Sequence, residues 1–277
     1  MNANCEIYYE SFGDPADPTL MLVNGLGSQC INYHADWCEM FVARGLRVVR
    51  FDNRDVGLSS KFDDAPVDAT GTTYNLSDMA DDAIAVLDAI AVEQAHVMGL
   101  SMGGMIVQVL AIEHSHRLLS MTSVMSRTGE PGYGESTPEA FALLTAPPAT
   151  DRESSIANHI AGLRVWGSPE FADEARWRRD AERAFDRSFH PSGTARQYRA
   201  VVGSAPRADR LRHVTTPSLV MHGDCDTLID ISGGVRTAEL IPGAQFQAIE
   251  GLGHDYPPQL WNRWVDLIST FVTTTVS

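Results

Sequence analysis

The chain has 277 residues, 44% hydrophobic and 21% charged, enough for one large α/β core with an insertion or for two modest domains. Its 21 basic and 36 acidic residues give a formal charge of −15, a field that repels phosphate backbones and anionic membranes and so argues against nucleic acid as a partner. No stretch approaches the roughly 20 apolar residues that span a bilayer, and the opening MNANCEIYYESFGDP carries neither a basic nor an apolar leader, so the expected location is cytoplasmic.

In chain order, CEIYYESFG (5–13) reads as an edge strand and TLMLVNG (19–25) as a buried strand ending at glycine. DWCEMFVARG (36–45) is a helix closed by Gly45, and RVVRFD (47–52) the next strand. In LSDMADDAIAVLDAIAV (76–92), Met79, Ala83, Val86, Leu87 and Ile90 fall at helical spacing, with Ser77 as the expected N-cap. AHVMGLS (95–101) is a strand running into the helix MGGMIVQVLAIEH (102–114), and LLSMTSVMS (118–126) is another strand. From about 127 to 212 the texture changes to Pro-, Gly- and charge-rich helical stretches without a convincing buried strand. Alternation resumes with the strand SLVMHGD (218–224), a helix around 235–240, the strand QFQAIEG (245–251) and a final helix from about Pro257. Alternating strands and helices predict a mainly parallel sheet flanked by helices. The core is expected in residues 1–126 and 213–277, with 127–212 inserted as a helical lid after the sixth strand.

Ser101 stands in Gly99-Leu100-Ser101-Met102-Gly103, between a strand and a helix. In that context Gly-x-Ser-x-Gly is a nucleophile elbow, and the amide of Met102, at the helix N-terminus, can face a developing oxyanion. A serine needs a base. Of nine histidines, His254 lies in the loop after the last predicted strand, on the same sheet edge as the elbow. His96 and His222 read as core histidines, His114 and His116 as a helix end, and His34, His159, His190 and His213 as polar helix or loop residues. The carboxylate that orients the base is expected at Asp226, past the end of strand 218–224, with Asp224 as the alternative and Asp230 as a helix-start residue. A second oxyanion donor is expected at the amide of Leu26, exposed by Gly25 and Gly27. The four cysteines, Cys5, Cys30, Cys38 and Cys225, show no CxxC pair and no metal-type spacing and read as reduced thiols.

The stretches FGDPADPTLMLVNG, RFDNRDVGLSS, AHVMGLSMGGMIVQVLA and GLGH resemble the α/β-hydrolase superfamily, most closely its aclacinomycin methylesterase-like branch. The resemblance implies a cofactor-free esterase that acts on a small-molecule ester through Ser101, Asp226 and His254, with the amides of Leu26 and Met102 as the oxyanion hole. Two positions depart from the wider pattern. Asn24-Gly25 stands where many relatives have His-Gly, and Arg54-Asp55 where Arg-Gly is common. C–C bond hydrolysis and cofactor-free perhydrolysis use the same triad, and an inactive hydrolase fold can serve as a ligand receptor. Composition leaves the oligomeric state open, a homo-oligomer included.

Overall fold

A computed structural model describes residues 5–69 and 71–275. Residues 1–4, 276 and 277, which the sequence assigns to the core, lie outside the described residues, as does Thr70. Among the described residues, seven strands form one sheet: β1 Tyr9–Phe12, β2 Thr19–Val23, β3 Arg47–Phe51, β4 Ala95–Leu100, β5 Leu118–Val124, β6 Ser218–Gly223 and β7 Gln245–Ile249, in spatial order β1-β3-β2-β4-β5-β6-β7. Only β1 runs antiparallel, against β3; the other pairings are parallel.

Alternation along the central strands feeds two cores. Met21 and Val23 point into one apolar cluster and Leu20 and Leu22 into the other, and all four are fully buried. The first cluster is covered by α2 Leu76–Ala89, α3 Met102–Glu113 and α9 Ser232–Leu240, the second by α1 Ala35–Val42 and α10 Trp261–Thr275. Residues 102–111 of α3 are all buried, which fits a helix packed against the middle of the sheet. Between β5 and β6 come five helices, α4 Pro138–Leu144, α5 Arg152–Trp166, α6 Glu174–Arg187, α7 Pro191–Gly203 and α8 Ala208–Leu211, and no strand among the described residues.

Two expectations are corrected. The helical segment follows the fifth strand of the described residues and not a sixth, because each of the five strand-like runs before residue 127 forms one strand, β1 to β5. The N-cap of α2 is Asn75 and not Ser77. Asn75 is extended (φ −128°, ψ −175°), its side chain accepts from the amides of Ser77 and Asp78, and the Asp78 carboxylate accepts from the Asn75 amide in return. Asp230 sits just ahead of α9, its Oδ1 accepting from the Ser232 amide at 2.8 Å.

Candidate active site

The turn from β4 into α3 holds Ser101 at φ 56°, ψ −117°, a left-handed backbone whose cost is of order 1–3 kcal/mol for a residue with a Cβ. Surrounding contacts fix it there. The Ser101 amide donates to Val124 O at 2.9 Å, and Ser101 O accepts from Ser126 Oγ at 2.8 Å. The flanking glycines answer to packing: a Cβ at Gly99 would lie 2.1 Å from Gly103 O, and one at Gly103 would lie 2.1 Å from Val23 O. The helix and the strand therefore approach closer than any side chain allows, and the serine is lifted to the sheet edge.

Asp226, just past β6, and His254, past β7, meet there. His254 Nδ1 lies 2.6 Å from Asp226 Oδ2, while Asp226 Oδ1 accepts from the amides of Leu228 and Ile229 at 2.9 Å each. The Asp226 side chain is fully buried and that of His254 is 8% exposed. Burial pushes the Asp226 carboxyl up, but His254 and His222 outweigh it and hold the group at about 2. Such a carboxylate accepts from Nδ1–H and leaves Nε2 free to take a proton. Asp224, the alternative, accepts instead from the Gly251 amide at 2.8 Å.

The histidine loop is clamped from both sides. His254 N donates to Trp166 O at the end of α5, Gly253 N donates to Ser168 Oγ at 2.9 Å, and Asp255 Oδ1 accepts from the Ser168 amide at 3.1 Å. Tyr256 packs on Trp37 of α1 with ring centroids 5.5 Å apart.

Opposite the elbow, the loop after β2 is tied to the loop after β3: Asn24 Nδ2 donates to Phe51 O at 3.1 Å, and Asn53 Nδ2 donates to Asn24 O at 3.0 Å. The Gly27 amide (φ +67°) donates to Gln197 Oε1 of α7 at 2.8 Å. Gln197 is fully buried and also donates to Arg54 O, so it braces the loop that carries Leu26. Met102 is the first residue of α3, and its amide is one that a helix leaves without an intrahelical acceptor.

Ser101, Leu26, Met102 and His254 all line one cavity of about 350 Å³, closed over by residues of α4 to α7, Trp166 and Trp177 among them. A wider cleft of about 780 Å³ adjoins it, with Leu26, Ser28, Leu144 and Tyr198 common to both. Phe185 lines the cleft, whereas Phe171 lines neither space.

The sequence did not single out Gln197, whose partner Gly27 is 170 positions away, or His34 and His159, which line the cavity. His96 and His222 are core residues, bonded to Ser120 Oγ and Ile229 O. The departure at Asp55 also has a local account: it holds φ 73°, which suits glycine, and is fixed there by Arg196 of α7 at 2.8 Å and by Tyr74 Oη at 2.7 Å.

This combination of a mainly parallel sheet, a serine on a strained strand-to-helix turn and a histidine–carboxylate pair past later strands defines a class. The chain belongs to the α/β-hydrolase fold family, whose model matches residues 18–256. Among its relatives, rhodomycin D methylesterase DauP of Streptomyces sp. (strain C5) is 30% identical over 274 residues, covering 91% of this chain and 89% of the relative. The 2-hydroxymuconate semialdehyde hydrolase of Pseudomonas sp. (strain CF600) is 28% identical over 256 residues, covering 91% and 86%. The solved structure of a meta-cleavage product hydrolase from Pseudomonas fluorescens IP01 shares the fold at a TM-score of 0.78 and 20% identity, covering 97% of this chain and 94% of that one.

Among the described residues no helix is long and apolar enough to cross a membrane.

Proposed function

We propose that the chain hydrolyses carboxylic esters of small molecules with Ser101 as nucleophile, His254 as base and Asp226 as its orienting carboxylate. The observation that carries this reading is the 2.6 Å contact between His254 Nδ1 and Asp226 Oδ2 in the wall of the cavity that Ser101 lines. The similarity to a rhodomycin D methylesterase supports the ester as substrate class.

Ser101 Oγ attacks the ester carbonyl and His254 Nε2 takes its proton; the Asp226 carboxylate stabilises the imidazolium. The amides of Leu26 and Met102 donate to the oxyanion, and their fixed orientation spares the reorganisation that water would need. Collapse expels the alcohol with the proton from His254. Water then attacks the acyl-enzyme by the same route in reverse, releasing the acid. The segment 127–212 acts as the lid: its apolar residues dry the cavity, and Gln197 steadies the oxyanion loop.

A second reading is C–C bond hydrolysis, favoured by the similarity to a semialdehyde hydrolase. Methyl and aryl esters assayed beside a vinylogous diketone separate the two. The ester reading expects kcat/KM at least a hundredfold higher on the best ester; the reverse ratio overturns it.

A further inference from the structure

Among the described residues, one wall of the cavity carries a cation without a counter-ion. Arg127 lines the cavity and is half-buried. It follows Met125, held at φ 41°, and Ser126, whose hydroxyl donates to Ser101 O, so the turn that presents it is tied to the serine itself. Its stem is wedged by two glycines: a Cβ at Gly134 would lie 2.9 Å from Arg127 Cβ, and one at Gly233 would lie 3.0 Å from it. Nη1 donates to the neutral Gly134 O at 3.2 Å, and among the described residues Arg127 has no ion pair.

Its neighbourhood is cationic too. Buried Arg207 donates to Arg127 O at 2.8 Å and to Gln108 Oε1 at 3.0 Å, again with no ion pair among the described residues. Burial first, then Arg127 and Arg210, draw Arg207 down to about 10. The two carboxylates on the cavity wall besides the triad are already engaged. Asp180 lies 3.2 Å from His34, 3.5 Å from Arg183 and 3.9 Å from Arg176, and Asp255 accepts from Ser168. In a molecule of net charge −15, two neighbouring arginines with no ion pair among the described residues, one of them lining the cavity, are a local exception. A partly buried guanidinium without an anion forgoes the charge-assisted pairing its fork geometry suits.

We propose that Arg127 is a specificity-determining residue that binds a carboxylate carried by the ester substrate, at a position remote from the scissile bond. The inference rests on the ester-hydrolase reading and assigns its substrate class: half-esters of dicarboxylic acids or esters with a comparable second anion. Nη1 stays on Gly134 O while Nε and Nη2 receive the carboxylate.

The test compares monomethyl with dimethyl esters of succinic, glutaric and adipic acids on the wild type, Arg127→Gln and Arg127→Lys. For the best-fitting chain length, the monomethyl-to-dimethyl ratio of kcat/KM drops at least tenfold in Arg127→Gln, mainly through KM, and Arg127→Lys recovers part of it. The wild-type ratio also falls as ionic strength rises, a readout that needs no substitution. Calorimetry with the free dicarboxylate on a Ser101→Ala background gives a second readout independent of turnover: adding Arg127→Gln weakens binding at least tenfold. A ratio insensitive both to salt and to the substitution, with dicarboxylate affinity within twofold, overturns the proposal. A wild type that cleaves neither ester yet binds dicarboxylates through Arg127 supports the anion site and contradicts the ester reading instead.

Discussion

His254 Nδ1 lies 2.6 Å from Asp226 Oδ2, and the same carboxylate takes two backbone amides through its other oxygen. The two side chains are 28 positions apart in sequence, each in a loop just past a strand at the same edge of the sheet. Asp226→Asn keeps the shape but supplies an amide where Nδ1–H needs an acceptor. Loss of kcat of about 10⁴-fold is expected for such a change. Asp224→Asn, whose carboxylate accepts from the Gly251 amide and contacts Cys225 without touching His254, is expected to cost less than about threefold; steady-state kinetics of the two variants checks the assignment.

Gln197 is expected to act as a positioning residue. Gln197→Leu removes the acceptor of the Gly27 amide and leaves the loop carrying Leu26 less fixed. A small displacement of that kind lowers kcat by about tenfold or more and leaves KM little changed. A variant that raises KM alone would make Gln197 a binding residue.

Gly99→Ala sets a Cβ 2.1 Å from Gly103 O, a backbone atom that cannot yield without moving α3. The cost is expected at about 3 kcal/mol or more. Gly45→Ala is the control: φ is +78° but nothing lies within 4 Å, so only left-handed strain of about 1–2 kcal/mol applies. Urea unfolding of both measures the difference.

His96 supplies a pH dependence. It is 1% exposed, and burial lowers it from an ordinary 6.5 to about 4. The unfolded chain therefore binds the proton first as the pH falls. The stabilising contribution is present above pH 6.5 and is lost between 6.5 and about 4, amounting to about 3 kcal/mol at the acid end. His96→Gln is expected to flatten that part of the stability profile; an unchanged slope between pH 7 and 4 contradicts the account.

Much of this was legible in the sequence for local reasons. Strand alternation, the glycines around Ser101 and the loops of Asp226 and His254 just beyond strands are short-range signals, and they place these residues at one sheet edge, where the structure also has them. What escaped were contacts made by tertiary packing. Gln197 reaches Gly27 across 170 positions, and His34 and His159 meet at the cavity only because α1 and α5 converge on it. Asn75 outcompetes Ser77 as a cap because its extended backbone turns the side chain onto two amides, a geometry that composition does not display.

The most direct test of the central claim is to treat the wild-type protein with a fluorophosphonate probe and locate the adduct by peptide mass spectrometry. One stoichiometric adduct is expected, on Ser101, together with at least a ~10⁴-fold loss of ester turnover in Ser101→Ala, as a missing nucleophile entails. An adduct on another residue, or a folded Ser101→Ala protein that keeps more than a tenth of the wild-type kcat, would contradict it.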